Sequence, residues 1–502
     1  MHYQDEDKRV YERSVRLMFL AAAHIVCPDA RVRIEHSVHY GVFARLSQPI
    51  DAFTVARIER EMRGWVDKNE PIQRRELNQS ELLAWLLDRK DDAAYRLLSK
   101  NPLNHTRVFS IGGYEDYLFG DCVDSAGELT CFRLKSYSFG AVIQLPAMST
   151  VDGESRLALL PWNEQPKYMK TFGEAARWAR ILNCRSVADL NDMVRGGSIR
   201  DFVWVSEALH EKSIADIADK IARKSARVIM VAGPSSSGKT TFTHRLAIQL
   251  RVIGKRPIIL SLDNYYKKRD DIPFDSDGSR DLESLDAIQV DLFNEHLAKL
   301  LSGEAVEIPH YDFKIGDHKP EKSQCVRLDG NQPILIEGIH GLNPRITESI
   351  SNSLCFRIYI SALTAINLDP HNRMRTTDTR LIRRIVRDFK FRSSPIEHTF
   401  SMWSGVRRGE ERWIFPYQET ADVSFNSALP YELTVLKGYA LPLLLNVEAD
   451  SPYKPLAGRL VELLNFVESA NVEADIAPTS LLREFIGGCA FYMKPKSDAN
   501  VD

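Results

Sequence analysis

The sequence predicts an α/β domain, a parallel sheet with helices on both faces, preceded by an α+β domain. Three observations carry this reading. Five short apolar runs bounded by turn residues follow Arg227 (RVIMVAG, RPIILSLD, PILIEG, LCFRIYIS and ADVSFN), helical stretches alternate with them, and residues 1–160 mix one helical segment with strand-like runs. Strands separated by helices need crossover connections, which make the sheet parallel and bury both of its faces.

The elements follow in order. Residues 11–26 (YERSVRLMFLAAAHIV) can carry a helix, and IEHSVHYGVFARL and ELTCFRLKSYSFGAVIQL cluster β-branched and aromatic residues as strands do. Residues 172–224 space apolar residues three and four apart in EAARWARILN, SVADLNDMV and SEALHEKSIADIADKIARKSA. The expected division is therefore an α+β domain over 1–160, a helical connector over 161–225, the α/β domain over 226–447 and a helical extension over 448–502, fraying over its last ten or so residues. No internal repeat is visible.

Composition narrows the function classes. A chain of 502 residues with 44% hydrophobic and 27% charged residues, 26 Gly and 23 Pro fits soluble globular domains and excludes collagen, disorder and low complexity. The 66 basic and 68 acidic residues leave a net charge of -2, so phosphate binding must be local. The charged start MHYQDEDKRV is unlike a signal peptide and no apolar run reaches a membrane span; a cytoplasmic protein without membrane contact is expected. Seven scattered cysteines without a C-x-x-C pair suggest neither a disulfide framework nor a zinc site.

The strongest motif is Gly233-Pro-Ser-Ser-Ser-Gly238-Lys239-Thr240, which fits G-x-x-x-x-G-K-[ST] between a strand and a helix. Its glycines let successive N–H groups point at phosphate oxygens, and the helix N-terminus adds partial positive charge. Lys239 offsets β/γ-phosphate charge, the Thr240 hydroxyl is placed for Mg²⁺, and Thr241 supports the α-phosphate side. Two acids close apolar strands of the same domain: Asp263 after RPIILSL and Glu337 after PILI. In such sheets ligands sit beyond the carboxyl ends of the strands, so one acid can hold Mg²⁺ while the other takes a proton from an attacking hydroxyl.

In TRLIRRIVRDFKFR, Arg380, Arg383, Arg384 and Arg387 fall at i, i+3, i+4 and i+7, with Ile382, Ile385, Val386 and Phe389 opposite. Salt-bridged surface faces interleave acids, and only Asp388 does so here, so this face is expected to contact phosphate on a mobile lid helix. His24-x-x-Cys27 and His36-x-x-His39 invite a metal reading, but in a continuous strand His36 and His39 point to opposite faces.

With GPSSSGKT, SLDNYY, IPHYDF, LIEG and TRLIRRIVRD in order, residues 226–430 resemble the uridine kinase and phosphoribulokinase family of P-loop kinases. The resemblance implies ATP with Mg²⁺ on Gly233, Ser235, Ser236, Ser237, Gly238, Lys239, Thr240 and Thr241, with Asp263 as the base. Glu337 matches the acid of the second Walker motif and joins Thr240 on the metal. Tyr311 matches an aromatic lining the nucleoside site, Glu283 the acid on the ribose hydroxyls, Arg384 a substrate-side arginine, and Arg387 and Arg392 lid arginines on phosphate. The chain departs from the pattern in places: Asp281-Leu282-Glu283 replaces N-F-D, Ser394 and Met402 replace an arginine and a glutamine, and Gly316, with His318 nearby, stands where a histidine reads the pyrimidine.

The first 160 residues resemble the editing-type second domain of threonyl-tRNA synthetases through RSVRLMFLAAAHIVCPDARVRI, DAFTVARIEREM and GDCVDSAGELTCFRL. The synthetase H-x-x-x-H falls on Arg13 and Leu17, and C-x-x-x-H on Cys122 and Ala126, which implies no editing hydrolysis. The whole arrangement resembles a bacterial class of uridine kinase-like proteins. The leading expectation is an ATP-dependent kinase of a hydroxyl acceptor, first a nucleoside such as uridine. The alternatives are a regulatory RNA-binding protein switched by ATP, and a kinase of a sugar phosphate or pantothenate-like alcohol. RNA binding by the N-terminal half is not indicated, and homo-oligomerisation stays open.

Overall fold

The computed structural model describes residues 5–103, 105–137, 139–151, 154–275 and 278–492; the expected fraying lies almost wholly outside them. The chain forms two compact units, Met1–Arg195 with Thr364–Arg375, and Gly196–Leu363 with Thr376–Asp502. No described helix is long and apolar enough to cross a membrane.

In the first unit, the helix Asp5–Val26 buries Val15, Leu17, Met18 and Phe19 completely. They share one core with the helix Ala52–Asp67 and an antiparallel sheet ordered Val32–Val38, Gly41–Leu46, Gly140–Gln144, Arg133–Tyr137. The run expected to be one strand through His36 and His39 is a hairpin. His39 takes a φ of 49° at its turn, and Ser37 pairs with Val42 across it. His36 stacks on Phe172 at 3.5 Å between centroids, whereas His39 meets Trp162 edge-on at 5.5 Å. The turn separates the two histidines, rather than strand alternation. Among the described residues no three or more His, Cys, Asp or Glu side chains group to hold a metal.

The units cut across the expected segments. The helices Pro166–Ile181 and Val187–Arg195 of the expected connector lie in the first unit and Ile199–Lys224 lies in the second. Residues 364–375, inside the expected α/β segment, also belong to the first unit. Polar bonds explain why. Asn367 donates to the Ile34 carbonyl at 2.7 Å, the Tyr117 hydroxyl donates to Asp369, and His371 Nδ1 lies 2.6 Å from Asp116. Arg373 and Arg375 both reach the buried Glu12, at 3.1 and 2.8 Å, and hold its carboxyl well below the usual range against the opposing cost of burial.

The second unit carries a five-stranded sheet in the order Ile258–Ser261, Ile334–Glu337, Val228–Ala232, Cys355–Ser361, Val423–Asn426, every neighbouring pair parallel. All five expected strands are present. In chain order this is 2-3-1-4-5, so the chain leaves the central first strand for one edge and later crosses to the other side. That reversal opens a crevice at the carboxyl ends of the strands. Leaving the first strand, the phosphate-loop helix Lys239–Val252 packs Phe242, Leu246 and Leu250 with Ile214, Ile217 and Ile221 of the helix Ile199–Lys224.

The arginine helix, Thr376–Arg392, differs from the expected lid. Ile382, Ile385 and Val386 are buried, but so are Arg380 and Arg383, at 1% and 0% exposure. Arg380 pairs with Glu410 of the helix Ile396–Trp413, and Arg383 with Glu432 of the helix Glu432–Leu445, at 2.9 Å through Nε. The acids missing from the helix's own sequence arrive from its neighbours. Its first three turns are fixed, and Arg387 and Arg392 sit nearer the accessible end. Removing one partner of a buried pair leaves a desolvated charge, so Glu432→Ala is expected to cost the second unit about 3–5 kcal/mol. The urea midpoint of its unfolding transition reads this, and an unchanged midpoint would contradict the anchoring role.

Candidate active site

The phosphate loop gets its shape from backbone constraints. Gly238 takes φ 83° at the start of the phosphate-loop helix and Ser236 takes φ 59°; a side chain at Gly233 would collide with the Ile360 carbonyl. The buried arginines then hold the loop from outside. Arg380 donates to the Ser235 carbonyl at 3.0 Å, Arg383 to the Ser236 carbonyl at 3.3 Å, and Arg384 to the Ser235 hydroxyl at 2.9 Å. With the carbonyls engaged by guanidinium groups, the N–H side is left for an anion. The Ser236 and Ser237 hydroxyls are buried and, among the described residues, find no hydrogen-bond partner. Lys239 Nζ rests on the Pro234 carbonyl at 3.3 Å.

Register places the acids. Glu337 pairs with Val231 on one side and Ser261 on the other, so it ends its strand beside the strand that feeds the loop. It accepts from the Ser261 hydroxyl at 2.9 Å. Asp263 follows in the 3-10 turn Leu262–Tyr265, its N–H on the Ser261 hydroxyl at 3.3 Å. Burial pushes both carboxyls up. Asp263 pushes Glu337 further, and Lys239 opposes the rise in each, joined at Asp263 by Arg392 and Arg387. Gly338 lets the chain turn tightly here, for a Cβ there would lie 2.7 Å from that of Leu262.

Beside this pair, Glu283 is half-buried and its carboxyl is pushed up to about 7, first by desolvation; Arg384 and Lys239 pull it down, while Glu410 and Asp263 raise it. Its Oε2 has no partner among the described residues. Its side chain packs where a Cβ on Gly409 would go, which fixes it against the helix Ile396–Trp413. Tyr311 is buried in an aromatic group with Tyr266, Phe313 and His318 at 5.6, 5.0 and 5.5 Å between centroids. Gly316, at φ 74°, makes the turn that brings His318 opposite Tyr311.

Arg384, Arg387 and Arg392 share the carboxylate of Asp388, at 3.2, 2.8 and 3.6 Å. Three guanidinium groups on one acid leave net positive charge. The repulsion shows in Arg392, lowered to about 10, first by Arg387 and then by burial. The residues expected at the site thus fall into three groups: phosphate loop, strand-end acids with Lys239, and Glu283 with Tyr311 and the arginines.

Sequence reasoning missed Ser261, which bridges the two acids, and Glu410 and Glu432, which neutralise half of the arginine stripe. It also missed Glu484, whose carboxylate accepts from Thr241 at the loop's end. Ser261 carried a readable signal in its place at the end of a strand; the glutamates lie 30 or more residues from their partners and carried none.

Residues 228–434 match the Phosphoribulokinase / Uridine kinase family. The uridine kinase of Anoxybacillus flavithermus is 30% identical over 202 residues, 40% of this chain and 86% of that protein. The uridine kinase of Halobacterium salinarum is 28% identical over 196 residues, 39% of this chain and 77% of that protein. A solved structure titled a possible uridine kinase, from Bacillus stearothermophilus, matches 40% of this chain and 89% of its own at 18% identity, with a TM-score of 0.28. Through this region, which carries the phosphate loop and both strand-end acids, the chain belongs to the phosphoribulokinase and uridine kinase family.

Proposed function

We propose that the second unit is an ATP-dependent kinase that transfers the γ-phosphoryl group to a hydroxyl of a nucleoside such as uridine. The observation that carries this is the register that ends the Glu337 strand beside the strand feeding the phosphate loop, with Asp263 in the next turn and both tied to the Ser261 hydroxyl. Asp263 is the base for the acceptor hydroxyl, raised by burial toward the range where a carboxylate accepts a proton readily. Lys239, Arg387 and Arg392 offset charge on the transferring group, whose transition state needs positioning and electrostatic stabilisation above all.

The unpartnered Glu283 oxygen supports an acceptor rich in hydroxyl donors, and the Tyr311–His318 aromatic pair supports a planar base. Uridine kinases among the relatives favour the same acceptor. Mg²⁺ fits the donor set: the Thr240 hydroxyl and the Glu337 carboxylate are hard oxygen ligands, and the buried Glu337, raised by burial and by Asp263, would be favoured as an anion by a divalent cation. Bound there, Mg²⁺ would neutralise phosphate charge. For the first unit we retain the editing-domain likeness without editing. Leu17 is fully buried, Arg13 is engaged by the Asp121 carbonyl, and burial pushes the Cys122 thiol up to about 11, away from nucleophilic character.

The test is ADP release with ATP and Mg²⁺ against uridine, cytidine, ribulose 5-phosphate and pantothenate, with the product identified by mass. Stimulation by a nucleoside is expected; stimulation by another alcohol alone would reassign the acceptor, and none would favour an ATP-switched regulatory protein. Asp263→Asn is expected to lower kcat about 10²–10⁴-fold with ATP binding retained, whereas Lys239→Ala is expected to weaken ATP binding itself.

Glu283 gives a pH test. Its proton is held more tightly folded than unfolded, so stability falls as pH rises from its ordinary 4.5 to about 7 and stays lower above that. Glu283→Gln is expected to gain on the wild type across this window by at most about 3 kcal/mol, measured as thermal midpoints at pH 5 and pH 8.

A further inference from the structure

The phosphate-side groups of Thr241 are already occupied by the protein itself. Glu484 accepts from the Thr241 hydroxyl at 2.8 Å and from its backbone N–H at 3.2 Å, both through Oε2. That N–H is one of the first of the phosphate-loop helix, which has no partner within the helix and points where an anion binds. Thr241 is fully buried beneath this contact.

The segment that carries Glu484 is held on both sides of the site. Toward the loop, Leu481 lies against Gly238, and a Cβ there would come within 3.0 Å of its Cδ2. Phe491 stacks on His244, about one turn along the helix from Thr241, at 5.0 Å between centroids. Toward the arginine helix, Phe485 lies under the Arg383 guanidinium at 5.0 Å, and Lys390 donates to the Ile486 carbonyl. Leu481, Leu482 and Phe485 are fully buried, so the segment is packed rather than draped.

We propose that residues 480–492 form an intrasteric strap whose Glu484 carboxylate stands in for the α-phosphate, so that ATP gains full access to Thr241 only when Glu484 withdraws. This rests on the nucleotide-site reading above. A carboxylate and a phosphate oxygen compete for the same two donors, and two anions at that distance repel. Because the strap also grips the arginine helix, its release would loosen the end of that helix bearing Arg387 and Arg392. ATP binding and freedom of the arginines are then coupled through one short segment.

The full chain is titrated with ATP and Mg²⁺ by calorimetry, alongside Glu484→Ala and Glu484→Gln. Removing a competing charge-assisted contact is expected to tighten binding about tenfold in Glu484→Ala, with Glu484→Gln also tighter than wild type and close enough in shape to preserve the fold. Hydrogen exchange of residues 480–492 in the wild type gives a readout without mutation, and ATP is expected to speed it. Equal or weaker binding by both variants, or slowed exchange with ATP, would overturn the strap and make the segment a wall of the nucleotide pocket. Absence of binding by the wild type and both variants would overturn the nucleotide-site reading, and the strap with it.

Discussion

The second unit depends on a few arginines buried against the phosphate loop. A loop that presents N–H groups inward must turn its carbonyls outward, and buried carbonyls need donors. Arg380 and Arg383 supply them to Ser235 and Ser236, and Glu410 and Glu432 make those guanidinium groups affordable inside the fold. Alone, either arginine would be a desolvated charge; either glutamate would be worse. Loop geometry, helix placement and the packing of two further helices are therefore one electrostatic problem with a shared solution.

That solution explains what could be read from the chain. The five parallel strands were legible because each is a short apolar run ending at a turn residue, and Asp263 and Glu337 because one sits just past a strand and the other ends one. The loop was legible from spacing alone. The fate of the arginine stripe was not: periodicity shows which side chains share a helix face, not whether that face meets solvent or two buried glutamates. The hairpin at His39 was hidden for a related reason, since a β-rich run reads alike whether it continues or reverses.

The proposed acceptor side combines rigid and titratable parts. Tyr311 is locked among three aromatic rings, and Glu283 against the place a larger residue at Gly409 would fill. Glu283, Asp263 and Glu337 are all held above the ordinary carboxylate range by burial, with one lysine opposing the rise in each.

The discontinuity of the units bears on modularity. The stretch that matches the kinase family, residues 228–434, carries 364–375, whose polar partners Ile34, Asp116, Tyr117 and Glu12 belong to the first unit. It also stops short of Leu481 and begins after the helix Ile199–Lys224 that backs the phosphate-loop helix. Neither unit can be released by a single cut. A cut between Arg195 and Gly196 would strip the first unit of Thr364–Arg375, leaving Glu12 without Arg373 and Arg375 and Asp116 without His371.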